Sequence, residues 1–292
     1  MPTVCLDDHT PDSVLPIEHE HAALYADMTA IGRRVAGGSS VVFAACARNC
    51  GPVLRANLWR LEQIAKEFRE WSAVVVENDS TDGTKQLLAE WSAAHASTAV
   101  LTRDNGRPHL HGFEHERMQA LAEYRNAYLE WIRKHAPHTD YVVVLDLDVW
   151  GGYSGVTNGI GWLDVGKAGG MASVSAFQAR ANDATHWLHY DQFAFRWLGW
   201  QRRMEPWFHS WLPPAGARPI GVCSAFGGLA VYHWSAIRDA AYAAPGGDCE
   251  HVGLHRSMNG TMHLNPSQRV IVHWEPTDAG EHGDDQRAGV PR

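Results

Sequence analysis

Apolar residues recur at Val53, Leu54, Leu58, Leu61, Ile64 and Phe68, the spacing that predicts one buried face of a helix over residues 51 to 68. On either side run short, nearly unbroken apolar stretches, "SSVVFAAC" (39 to 46) and "SAVVVEN" (72 to 78), which read as buried strands. The alternation then repeats. A second helix is predicted over 81 to 95, with Ser80 or Asp82 as its cap, then a strand over 97 to 103, a helix over 116 to 136 and a strand entering "YVVVLDLDVWGG" (141 to 152). Before this series, residues 18 to 36 predict a helix closed by Gly37 and Gly38. Strands that alternate with helices in this way predict a parallel, doubly wound sheet. Past residue 150 the pattern weakens, with strands expected over 169 to 180, 225 to 234 and 266 to 276. The expected organisation is an N-terminal extension with its helix (1 to 38), one α/β domain (39 to 275, divided near 150) and a flexible Gly-, Asp- and Arg-rich tail (276 to 292).

The 292 residues, 45% of them hydrophobic, are enough for a substantial core. With 25 Lys+Arg against 33 Asp+Glu and no concentrated basic run, the chain lacks the footprint of a general nucleic-acid binder. No segment has the length and apolarity of a membrane span, and the acidic, interrupted start is unlike a secretory signal, so a cytoplasmic protein is expected. Association with the inner face of a membrane, through a surface patch or a partner, stays open. The five cysteines are odd in number and show no zinc spacing, which predicts reduced thiols. The thirteen tryptophans serve either as packing groups or as platforms for sugar rings.

In doubly wound sheets, ligands sit beyond the carboxyl ends of the strands. Candidate chemistry falls at those ends. Glu77 and Asp79 follow the second strand, Arg103 and Asp104 the third, and Asp146 and Asp148 the fourth. A D-x-D at a strand end points both carboxylates the same way, where hard oxygen ligands suit Mn2+ or Mg2+. A cap or a solvated turn is the competing reading. "NDSTDG" reads better as a capped turn built on Asp79, Ser80, Asp82 and Gly83 than as a binding site. His109, His111 and His115 are read as part of a mobile loop over the ligand in preference to a zinc site.

Taken in order, Cys46 to Asn49, "VVVENDSTDGT", "ERMQALAEYRN", "LDLDV" and "GGDCEH" before His273 resemble the GT-A fold of nucleotide-sugar glycosyltransferases over residues 39 to 275. "ENDSTDGT", "RMQALAEYRN", "HYDQFAFR" and "SAFGGLAVY" further resemble the capsule-associated α-mannosyltransferases of the cryptococcal type. The resemblance implies a Rossmann-like, mostly parallel sheet flanked by helices, and a metal-dependent transfer of a hexose. The best-matching donor is GDP-mannose, with UDP-sugars as rivals, and the acceptor is a saccharide or a lipid-linked saccharide. It implies metal ligation by Asp148 and Asp146, with His273 as third ligand and His255 or His263 as rivals. Donor contacts are implied from Ala45, Cys46, Arg48, Glu77 (against the base), Arg117 or Arg125 (as a diphosphate clamp), Asp146 and Gly228. Glu250 is implied as general base in an inverting enzyme or as an acceptor-orienting group in a retaining one, and Asp191 as a second acid near the anomeric carbon. The competing structural readings are a helix N-terminus for Glu250 and a cap ahead of a helix "QFAFRWLGW" for Asp191. A sugar nucleotidyltransferase and a carbohydrate-binding protein are the alternative functions.

Overall fold

Residues 41 to 45 of the first strand alternate between two apolar layers. Val42 and Ala44 face one, and Val41, Phe43 and Ala45 face the other, so helices must cover both sides of the sheet. The computed structural model describes residues 11 to 272 apart from 111, 113, 182, 183 and 204. Helices α1 (Pro11–Val14) and α2 (Ala22–Ala36) precede β1 (Ser40–Ala47), α3 (Gly51–Ala65), β2 (Glu70–Asn78), α4 (Thr84–Ala94), β3 (Thr98–Arg103), α5 (His115–His135) and β4 (Tyr141–Asp146). Strands β3, β2, β1 and β4 lie side by side in that order, all parallel. Leu54, Leu58 and Leu61 of α3 pack in the layer of Phe43, while Met118, Tyr128, Leu129 and Ile132 of α5 pack in the layer of Val42.

The second half supplies β5 (Trp150–Ser154), α6 (Val156–Val165), β6 (Ala168–Ala181), β7 (Ala184–His189), α7 (Trp207–Ser210), β8 (Ile220–Val222), β9 (Leu229–His233), α8 (Trp234–Ile237), α9 (Glu250–Ser257) and β10 (Thr261–Ile271). These strands extend the same sheet as β4-β9-β6-β10-β5. Pairing is parallel only between β6 and β10 in this half. The helix expected over 192 to 200 is instead a series of turns. Arg196 explains the departure: its Nη1 donates to Phe193 O (2.9 Å) and Phe195 O (2.8 Å), and its backbone pairs with Ser224. These bonds hold the segment in a non-helical course. Residues from 273 on, including the expected tail and His273, lie outside the described residues.

Helix α2 crosses α6 through glycine. A Cβ added to Gly32 would fall 1.6 Å from Thr157 O, and one added to Gly161 would fall 2.0 Å from Met28 O. Gly32→Ala must force these backbones apart, so it is expected to lower stability by about 1–3 kcal/mol, read as a fall in the urea midpoint at unchanged slope.

Candidate active site

Cys46, near the end of β1, is in register with Asp146, at the end of β4, which places the D-x-D where the parallel half of the sheet meets the antiparallel half. The backbone N–H of Asp146 donates to Gly228 O (2.9 Å), so the turn before β9 fixes the strand end. Gly228 has φ +81°, and a Cβ there would lie 3.8 Å from Oδ2 of Asp146. It therefore sits beneath the carboxylate as part of its support.

Asp146 and Asp148 line an open cleft together with Cys46, Arg48, Arg117 and Arg125. The fold also brings Asn78, Arg107, His109 and Tyr124 to the cleft, none of which the sequence singled out as donor contacts. Asp148 is exposed to solvent in the lining of the cleft, where its carboxyl is partly desolvated. Burial and the neighbouring Asp146 push it up to about 6. Two hard carboxylates that repel each other at the mouth of a cleft form a donor set that a divalent cation fits.

Arg125 is buried, with Nη2 3.2 Å from Asp146 Oδ1 and Nε 2.9 Å from Glu250 Oε1. Its guanidinium also lies 5.1 Å from the centroid of the Phe226 ring. Burial works against its charge, but Tyr128, Asp146 and Glu250 outweigh it and hold the group above its usual range. Nη1 remains buried without a hydrogen-bond partner. Arg125 thus locks the D-x-D to Glu250, the first residue of α9, a link across 125 positions that no local pattern announces.

Glu250 is 3% exposed and lies behind Arg125, off the cleft wall. Asp191 is partly exposed, with φ +66°. It accepts from Gly227 N–H (2.8 Å) and Ala194 N–H (3.3 Å), so it caps a turn and pins the glycine pair below Asp146. Burial pushes its carboxyl up to about 7 against the pull of those two bonds, with Asp146 and Glu250 adding to the rise. Asp191→Ala strands both N–H groups and is expected to cost about 1–3 kcal/mol, measurable by urea denaturation.

Ala45 lies one residue before the cleft wall and points into the core, 1% exposed; strand alternation turns Cys46 toward the cleft and Ala45 away from it. The Cys46 thiol is pushed up to about 12 by burial, so it is protonated at neutral pH. Glu77 is fully buried. Its Oε1 accepts from Ser80 N–H (2.8 Å), while Oε2 is buried without a partner. Asp82 takes Gly51 N–H (2.9 Å) and Thr84 N–H (3.1 Å), tying this turn to the start of α3, while the N-cap of α4 is Gly83 in place of the expected Ser80 or Asp82. Arg48 reaches over the cleft and donates to Arg107 O (2.8 Å) and Pro108 O (3.2 Å), tethering the loop after β3, whose Gly106 N–H donates to Asp79 Oδ1 (2.8 Å). Arg117 donates to Gly112 O (3.1 Å) in the same loop.

His255 is not available to a metal here, because its two ring nitrogens meet the hydroxyls of Ser224 and Tyr232, both at 2.8 Å. His263 lies on β10 beside Gly221 of β8. Among the described residues, three potential ligands converge only at Glu18, Glu20 and His21, on the turn before α2. His115 opens α5, and His111 lies outside the described residues. Four described cysteines, Cys46, Cys50, Cys223 and Cys249, are free. Among the described residues no helix is long and apolar enough to cross a membrane.

No family model and no curated protein matches the chain. Among solved structures, a mannosyltransferase from Pyrobaculum calidifontis, in complex with GDP-Man and Mn2+, matches 88% of this chain and 67% of its own at 14% identity, with a TM-score of 0.48. TarS from S. aureus matches 80% of this chain and 60% of its own at 13% identity, with a TM-score of 0.48. GalNAc-T7, with UDP, GalNAc and Mn2+, matches 81% of this chain at 13% identity and a TM-score of 0.52, and the match spans 44% of its length. The strand order and the likeness to GalNAc-T7 give this chain the fold its sequence led us to expect, that of the GT-A transferases.

Proposed function

We propose that the chain is a metal-dependent glycosyltransferase that moves a hexose from a nucleotide sugar to a saccharide or lipid-linked acceptor. The observation that carries this reading is the pairing of Asp146 and Asp148 at the carboxyl end of the central parallel strands, in a cleft that also holds Arg48, Arg107 and Arg117. Paired acids for a cation and several guanidinia answer the charge of a diphosphate, at the place where such sheets take nucleotides. The donor is GDP-mannose, a choice that rests on the sequence likeness to the capsule-associated mannosyltransferases. The mannosyltransferase from Pyrobaculum calidifontis is in complex with GDP-Man, and GalNAc-T7 is with UDP.

Asp148 and Asp146 hold Mn2+ or Mg2+, with His273 as third ligand. The cation supplies Lewis-acid neutralisation of the leaving diphosphate. Arg117 and Arg107 meet the remaining phosphate charge. Arg125, buried between two acids, fixes the position of Asp146. Glu250, nearly inaccessible and held by Arg125, is a positioning residue in this account, which disfavours it as a general base.

Asp191, at about 7, is the acid best matched to work near neutrality, whether it takes the acceptor proton or faces the anomeric carbon as a carboxylate. In both roles the ionised form is the active one. The expected result is a kcat/KM that rises with pH up to an inflection near 7 and then levels. A pH profile measured with Mn2+ held saturating checks it, and a flat profile between 5.5 and 8.5 removes Asp191 from the chemistry.

The reading is tested by incubating the protein with Mn2+ and GDP-mannose, UDP-glucose or UDP-N-acetylglucosamine and measuring released nucleoside diphosphate. Release from one donor, stimulated by a saccharide acceptor, supports transfer. Release of pyrophosphate from a nucleoside triphosphate with a sugar phosphate would identify a nucleotidyltransferase instead.

A further inference from the structure

The segment after Asp191 carries features that the transferase site does not use. Leu198 is 89% exposed, and the flanking Trp197 and Trp207 are 42% and 38% exposed. An isolated surface leucine is unremarkable, but one that directly follows a half-exposed indole packed on a second makes an apolar patch. The patch is also stiff. Trp197 stacks on Trp211 (centroids 5.7 Å apart, planes 8° apart), and Trp207 packs against both (5.4 and 5.6 Å). Beneath them the chain is fastened by the backbone bridge between Arg196 and Ser224 and by the ion pair of Arg196 with Asp248. Ordering these side chains on contact with a partner therefore costs little entropy.

Basic groups lie close to the patch along the chain, and one reaches Trp200 from α9. Arg202 and Arg203 are exposed four and five residues beyond Leu198, and the exposed Arg256 reaches in from α9, lying over the Trp200 ring (5.2 Å) and donating to Trp200 O (3.1 Å). Between Trp197 and Trp211 the only acid is Glu205, in a chain whose formal net charge is -8. A local excess of guanidinia on an acidic protein, beside indoles and a protruding leucine, matches a lipid–water interface: tryptophan at headgroup level, leucine in the acyl region and arginine on anionic phosphates.

We propose that this loop, Trp197 to Trp211, is a membrane-docking surface for anionic lipid. A sugar platform needs a flat open ring and gives no role to Leu198 or to the arginines. The proposal is independent of the transferase reading, because lipid binding is measured without turnover.

The test is flotation of the full chain with vesicles of phosphatidylcholine alone or mixed with phosphatidylglycerol, using wild type, Leu198→Asp and Arg203→Glu. Both positions are solvent-exposed, so the variants are expected to keep the wild-type thermal midpoint. Wild type is expected to float with the mixed vesicles, less with phosphatidylcholine, and to be released by salt. Leu198→Asp is expected to raise the lipid concentration for half-binding about tenfold or more, and Arg203→Glu about fivefold or more. Failure of wild type to float, or unchanged binding by Leu198→Asp, overturns the proposal. So does a wild-type dimer in light scattering that Leu198→Asp dissociates, or quenching of tryptophan fluorescence by a neutral oligosaccharide with no response to vesicles.

Discussion

Asp148→Ala is expected to abolish transfer, with a loss of about 10³-fold or more in kcat/KM, while leaving the metal-free protein as stable as wild type or more so. The two halves of this result have one cause. Asp148 and Asp146 repel each other in the cleft, and Asp148 is held at about 6, above its ordinary carboxylate value of 3.8. A carboxyl whose pKa is raised on folding opposes folding when ionised. Its contribution to stability therefore improves as pH falls from above 6 toward 4, where the folded chain takes up the proton and the unfolded chain has not yet done so. Removing the carboxyl at pH 7 takes away that repulsion along with a cation ligand. The checks are steady-state kinetics with Mn2+ and thermal melts in chelator at pH 7 and pH 5. Wild type should gain on Asp148→Ala at the lower pH. A variant that is both inactive and strongly destabilised in chelator would show Asp148 to be a structural residue.

The second large effect is expected at Arg125. Arg125→Ala leaves Glu250, 3% exposed, and Asp146 without the cation they share, and unpaired buried charge is costly. A loss of about 3–5 kcal/mol is expected from urea denaturation. Arg125→Lys recovers only part of it, since one ammonium replaces the two guanidinium nitrogens that bond separate acids. The double variant Arg125→Met, Glu250→Leu should be more stable than Arg125→Ala, because the stranded acid is removed with its partner. A positioning role has a further signature. With Asp146 no longer held, Arg125→Lys should raise the Mn2+ concentration for half-maximal activity more than it raises KM for the donor. Equal changes in both would place Arg125 on the donor itself.

The parallel half of the fold was legible because strands buried on both faces must be continuous apolar runs, and the helices covering them keep a helical stripe. "SSVVFAAC", "SAVVVEN" and "YVVVLD" meet that demand without ambiguity. Beyond residue 150 the chain takes β5 and α6 from "WGGYSGVTNGIGWL", where glycines give neither period. Gly32 and Gly161 show why those glycines are there: two helix backbones touch, a tertiary requirement with no local trace. The competing reading of Asp191 set a helix over "QFAFRWLGW", but Arg196, bonded to its own chain and to Asp248, fixes a turn there.

At the site, Asp146 and Asp148 stood out because carboxylates at the end of a buried strand need a reason to be there. Arg107 and Tyr124 did not, since only folding brings the loop after β3 and the middle of α5 to the same cleft. Ala45 faces the core and Cys46 the cleft, one position of strand alternation apart. The placing of Glu250 and Asp191 was not legible because the groups that hold them, Arg125 and the Gly227 N–H, are distant in sequence.

The central claim, that Asp146 and Asp148 present a cation to a nucleoside diphosphate, is met most directly by thermal shift. Wild type and Asp148→Ala are titrated with GDP and UDP, each with and without Mn2+. A ligand that binds the folded state raises the melting temperature. The account predicts a rise for one nucleotide in wild type only when Mn2+ is present, and none in Asp148→Ala. A rise that is the same without Mn2+, or that persists in the variant, would contradict it.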